Sequence, residues 1–178
     1  MTTKLITGYT GTKHITPSDD AALHRAIFGR GLSYILPEGD MCKAKIISFT
    51  EIEISDGLIS LQGKIIRHNK ENLSLTTCPH GEARRDIIIV RYTRDTQTLI
   101  EKAELQILKG IPVTETESPE EPDIVNNGNI DEGALIVDFP LYRVDYRGTE
   151  IKIIPKAEIG DAYISTETEN MYKAVGME

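Results

Sequence analysis

Between Asp86 and Arg91 the chain reads DIIIVR, four consecutive branched apolar residues with a charge at either end. A strand sends alternate side chains to opposite faces, so Ile87–Val90 leaves no polar side for water. Branched residues suit a strand, and the run predicts one that is buried on both faces and therefore central. A central strand needs neighbours, and the sequence after Gly31 supplies them as short β segments punctuated by turn residues.

LSYILPEGD reads as a strand and a Pro-Glu-Gly-Asp turn, CKAKIIS and TEIEIS alternate polar with apolar, and Ser55-Asp56-Gly57 is a tight connection into LISLQGKIIRH. Ile52 and Ile54 are expected to face inward and Glu51 and Glu53 outward, and in LSLTT Leu73 and Leu75 face inward. TLIEKAELQIL suits strand or helix; the short Asp95–Thr98 link favours a hairpin with the preceding run, and therefore a strand. In GALIVDFPLYRVDYRGTEIKIIP the β pattern is interrupted at Pro140, which implies a bulge, a sheet edge or a change of sheet. Leu135, Val137 and Phe139 are expected on one face, Ala134 and Ile136 on the other, so that one face packs on the core and the other on a neighbour or on the same chain.

The one helix signal precedes these strands. Thr16 can cap, Pro17 has the φ of a first helical position, and Asp19 completes a capping-box spacing, which predicts a helix over Pro17 to Phe28. Ala22, Leu23, Ala26 and Ile27 form the stripe expected to be buried, with Gly29 or Gly31 as the left-handed stop. The fold class is therefore mainly β: an antiparallel β sandwich or barrel-like domain with one short N-terminal helix and a C-terminal β extension. The expected organisation is a helix plus β domain over 1–110, a Pro- and Glu-rich connector exposed over 111–131, and a C-terminal β segment and tail over 132–178. A length of 178 residues suits one main core.

A net charge of −8 with scattered Lys and Arg lacks the electrostatic footprint of a nucleic-acid binder. Cys42 and Cys78, far apart and in no CxxC pair, fit a reducing compartment. MTTKLITGYTG has no signal-peptide core and no run is long enough to span a bilayer, so a soluble protein made in the cytoplasm is expected.

The stretch GYTGTKHITPSDDAALHRAIFG, Gly8–Gly29, holds the residue types of a site. Its glycine spacing is wrong for a phosphate loop, and Lys13 precedes His14 rather than Ser or Thr. Of His14, His24, His68, His80 and Cys78, only Cys78-Pro79-His80 places two metal-ligand types close together, which a structural zinc site exceeds; a polar turn accounts for it. Asp19 and Asp20, adjacent on a helix, point about 100° apart and suit a helix start better than acid–base work. No nucleophile elbow is present. The expectation is no enzyme, no cofactor and no metal.

Five segments in this order, GYTGTKHITPSDDAALHRAIFG, YILPEG, RRDIIIVRYTRD, ELQILKGIPV and FPLYRVDYRG, resemble a recurring module of tail and baseplate structural proteins from phages and prophages of Gram-positive bacteria. The resemblance covers most of the chain up to about Ile154. It implies a virion component at the distal end of the tail, a scaffold or adaptor contacting other tail and baseplate proteins, and a homo-oligomer with a trimer favoured. A host cell-surface glycan is the alternative partner, through a carbohydrate-binding module; a tail-associated glycan hydrolase would need two converging carboxylates about 5–9.5 Å apart. Neither nucleic acid nor membrane is expected as a partner.

Overall fold

A computed structural model describes residues 15–126, 128–148 and 150–160. The glycines, Lys13 and His14 at the start of the Gly8–Gly29 stretch, and the tail after Gly160, lie outside the described residues. The fold is mainly β. One helix, α1 (Pro17–Phe28), precedes β1 (Ser33–Leu36), β2 (Ala44–Ser48), β3 (Glu51–Ile54), β4 (Gly57–Leu61), β5 (Lys64–His68), β6 (Glu71–Ser74), β7 (Glu82–Arg94), β8 (Glu101–Leu108), β9 (Val113–Thr114), a 3-10 turn (Ile130–Glu132), β10 (Ile136–Arg147) and β11 (Glu150–Pro155).

The strands form three antiparallel sheets, and no barrel closes among the described residues. The largest runs β11-β10-β7-β8, with β9 also paired to β7; two three-stranded sheets, β1-β4-β5 and β2-β3-β6, lie over it. The run Ile87–Val90 sits in β7, between β10 and β8, with all four residues buried. Ile88, Val90 and Tyr92 meet Ile35, Ile59, Ile52 and Ile54 of the smaller sheets in one core. The described part of the segment expected over 132–178 shares that core, because β10 pairs along almost the whole of β7. Ile52 and Ile54 are fully buried and Leu75 is buried as expected, although β6 ends before Leu75. β8 is a strand paired with β7, and Asp95 closes the hairpin by accepting from the N–H groups of Gln97 and Thr98.

β10 shows why its pattern breaks at Pro140. The register shifts between Pro140 and Tyr142, so Leu141 is an extra residue, and inward positions change from Val137 and Phe139 to Tyr142, Val144 and Tyr146. A bulge thus keeps both halves of a strand of mixed parity facing one core. Leu135 is not on that face: it precedes β10 and is exposed, while Ala134 packs on the core and Ile136 is half-buried.

Ser55-Asp56 makes the tight connection expected, but it joins strands of different sheets, β3 and β4, and it bonds back to the Met41–Lys43 turn, Cys42 N to Asp56 O (3.1 Å) and Ser55 N to Lys43 O (2.9 Å). A hairpin lies inside LISLQGKIIRH, where Gln62 and Gly63 both take positive φ, as a two-residue primed turn requires. One further expectation is corrected: the α1 stripe is turned round. The helix starts as expected, with Thr16 and Asp19 forming a reciprocal capping box, but it buries Ala21 with His24, Arg25 and Phe28 half-buried, and exposes Ala22, Leu23, Ala26 and Ile27. The cause is Gly63: with no side chain at its position, the backbone at Ala21 and the stem of Arg25 lie directly against it, and His24 Nδ1 donates to Gly63 O (3.1 Å).

The 111–131 connector is largely exposed, yet it is tied to the outer face of the main sheet. Arg85 donates to Pro119 O (2.8 Å), Glu121 takes ion pairs from Arg143 (3.1 Å) and Lys156 (2.7 Å), and Val125 N and Asp138 N bond reciprocally to Asp138 Oδ2 (2.7 Å) and Val125 O (2.8 Å).

Candidate functional site

The residues flagged in the sequence for metal or acid–base work are dispersed. His24 is held under α1, His80 is exposed, and Asp19 is engaged in the cap. His68 stands 3.8 Å from Glu71 and its Nε2 is buried without a hydrogen-bond partner; both residues line a cleft of about 390 Å³ with Arg67 and Glu104, between β5 and β8. No group of three or more His, Cys, Asp or Glu side chains able to hold a metal ion occurs among the described residues. Cys42 is fully buried, and desolvation with the nearby charge of Asp56 pushes its thiol up to about 11. Cys78 is half-buried, in the loop after β6.

The strongest charged contacts serve the fold. Arg84 makes two 2.8 Å bonds to Asp86, donates to Thr76 O (2.6 Å) and lies 4.7 Å over the Tyr146 ring; both members of the pair are buried. Asp86 also accepts from Gly110 N (3.0 Å). Burial and the charge of Asp86 push the Tyr146 hydroxyl up to about 12. Such satisfied pairs are expensive to break and orient their neighbours. Here they fix the loops before β7 and after β8.

One exposed feature among the described residues is apolar and borders a groove. β2 is an edge strand of its sheet, and its burial departs from alternation: Ile46 and Ile47 are 41% and 44% exposed, and Phe49, at the turn into β3, is 61% exposed. A register shift between Ile46 and Ser48 turns this strand end outward. Phe49 then forms one wall of a groove of about 280 Å³ with Thr77, Cys78, Tyr146, Gly148 and Ile151. The Tyr146 ring that lines the groove is packed by the Arg84 guanidinium, which Asp86 in turn holds. The groove can take an apolar side chain from a partner, and β2, which pairs with β3 alone among the described strands, lies beside it.

Sequence reasoning did not find this surface. The available signal was the breach of alternation in Ile46-Ile47, followed by Phe49 just before a polar turn. No family model matches the chain, and no curated protein matches it.

Proposed function

We propose that the chain is a structural component of a phage or prophage tail or baseplate, a scaffold or adaptor for the host-recognition apparatus. The observation that carries this reading is the Ile46–Phe49 hairpin end, exposed and continuous with an apolar groove. A patch of that kind on a well-tied β framework suits attachment of another protein. The ordered segments that resemble tail and baseplate modules supply the particular setting, and with it the expectation of a symmetric homo-oligomer.

The glycan-binding reading has less support. Sugar stacking needs exposed aromatic rings, and the described tyrosines, Tyr34, Tyr92, Tyr142 and Tyr146, are all buried; among the described Phe and Tyr residues Phe49 is the exposed one. Immunogold labelling of particles induced from the strain carrying the gene tests the proposal. Label at the tail tip is expected. Intact particles without label would overturn it.

A further inference from the structure

The cleft of about 390 Å³ between β5 and β8 holds a polar atom that the fold leaves unused. We propose that this cleft binds an ammonium group on a short apolar stem, with His68 Nε2 accepting a hydrogen bond from it and Glu71 and Glu104 supplying the opposite charge. β5 and β8 are each the last strand of their sheet among the described strands, so the cleft opens between two sheet edges. Its apolar wall is one cross-strand pair from each sheet, Ile59 with Ile66 and Val90 with Leu105. Ile59 and Val90 belong to the core, so the cleft reaches the interior. His68 lies two residues beyond Ile66 and shares its inward face. The residue opposite it on β4 is Gly57, which offers no side chain to meet the ring.

The His68 side chain is only 10% exposed, and its Nδ1 is 3.8 Å from Glu71 Oε1. The carboxylate favours a proton on Nδ1 and leaves Nε2 with a lone pair. Nε2 is buried and has no hydrogen-bond partner among the described residues. A buried acceptor of that kind is costly unless something donates to it. The surrounding charges select the donor. Among the described residues Glu71 meets only the His68 ring, and Glu104 has no ion-pair partner. Arg67 also lines the cleft, but it lies 3.8 Å from Glu38. The remaining field is negative, which repels a carboxylate or phosphate and attracts a cation that can donate. The volume suits a small amine or the end of one lysine side chain. The inference stands whether or not the tail reading holds.

Titration of the full chain with n-butylammonium chloride at neutral pH tests it, with sodium butyrate at equal ionic strength as the control. NMR reads the ring nitrogens of His68 and the methyl groups of Ile66 and Leu105. Saturable shifts at all three residues are expected with the amine, with a dissociation constant on the order of millimolar for so small a ligand, and none with butyrate. Glu104→Gln, at an exposed position, should keep the fold and weaken binding roughly threefold or more. His68→Leu should abolish the methyl shifts; if that variant does not fold, the wild-type Nε2 resonance and Glu104→Gln decide. A capped tripeptide with a central lysine separates the two sources of the ammonium: binding at least as tight as the amine's assigns the cleft to a lysine of another protein, and weaker binding to a free amine. No shift at Nε2 with either probe overturns the proposal and leaves the cleft to water; so does butyrate binding as tightly as butylammonium, or an undiminished affinity in Glu104→Gln.

Discussion

Arg91 and Asp138 face each other across β7 and β10 in a two-pronged bond, Nε to Oδ1 at 2.6 Å and Nη2 to Oδ2 at 2.7 Å. The same carboxylate accepts from Val125 N, so one side chain joins two strands of the main sheet to the connector that crosses it. Burial opposes ionisation of Asp138, but the bonds from Arg91 and Val125 and the charge of Arg91 outweigh it and hold the carboxyl below its ordinary value. A depressed carboxyl stabilises the fold fully above its unfolded value, near 3.9, and ceases to as pH falls through the folded value. Asp138→Ala should cost about 3 kcal/mol at neutral pH, and the loss should shrink below about pH 4. Urea unfolding at several pH values checks it; a difference from wild type that grows on acidification would contradict the assignment.

Gly63 decides how α1 is seated. Its φ of +89° is unfavourable for any side chain, and a Cβ would stand 2.5 Å from Ala21 O and from Arg25 Cγ. Gly63→Ala should therefore destabilise the protein by about 1–2 kcal/mol from the backbone alone, with more from the clash. Hydrogen exchange should rise along α1 more than along β7. Equal protection in the variant would mean that Gly63 does not hold the helix.

The same glycine explains what was legible in the sequence and what was not. The capping residues of α1, the burial of Ile87–Val90 and the disturbance at Pro140 were readable, because each depends on a few neighbouring residues. Which side of α1 is buried depended on a turn some forty residues away, at Gln62-Gly63, and the apolar pattern of the helix pointed to the opposite side. The two small sheets were hidden for a similar reason: Ser55-Asp56 resembles a hairpin turn locally, yet Cys42 and Lys43 take its hydrogen bonds. The groove required β2, the loop after β6 and the β10–β11 turn to be brought together, and no local pattern encodes that meeting.

The two thiols should differ sharply. Cys42, buried with its thiol pushed up to about 11, carries almost no thiolate at pH 8, whereas Cys78 lines the groove; its thiol is raised too, by burial first, with the charge of Arg84 opposing. A disulfide-exchange reagent at pH 8 should label one thiol in the native protein and two in denaturant. Two fast equivalents without denaturant would show that the Met41–Lys43 corner opens readily.

Tyr142 joins the main sheet to that corner, its hydroxyl donating to Cys42 O at 2.9 Å from a buried position. Tyr142→Phe removes the donor and leaves a buried carbonyl with one partner fewer, at a cost of about 1–2 kcal/mol. Thermal unfolding reads the change, and it should come with faster modification of Cys42. A variant as stable as wild type would show that the carbonyl finds water instead.

Phe49 offers a test that separates folding from the proposed attachment. It is the most exposed of the three apolar residues at the β2–β3 end, and it makes a wall of the groove rather than part of the core. Substitutions at such positions usually change stability by no more than about 0.5 kcal/mol. A carboxylate there would have to be desolvated beside an apolar partner with no cation to meet it, which disfavours docking much more than it disfavours the free chain. Phe49→Asp should therefore leave the purified chain folded with an unchanged melting curve, while, on the proposed tail reading, particles induced from the strain carrying the gene lose the chain as judged by immunoblot. Incorporation at the wild-type level would remove the hairpin end from the attachment surface, and a collapse of the melting curve would place Phe49 in the fold instead.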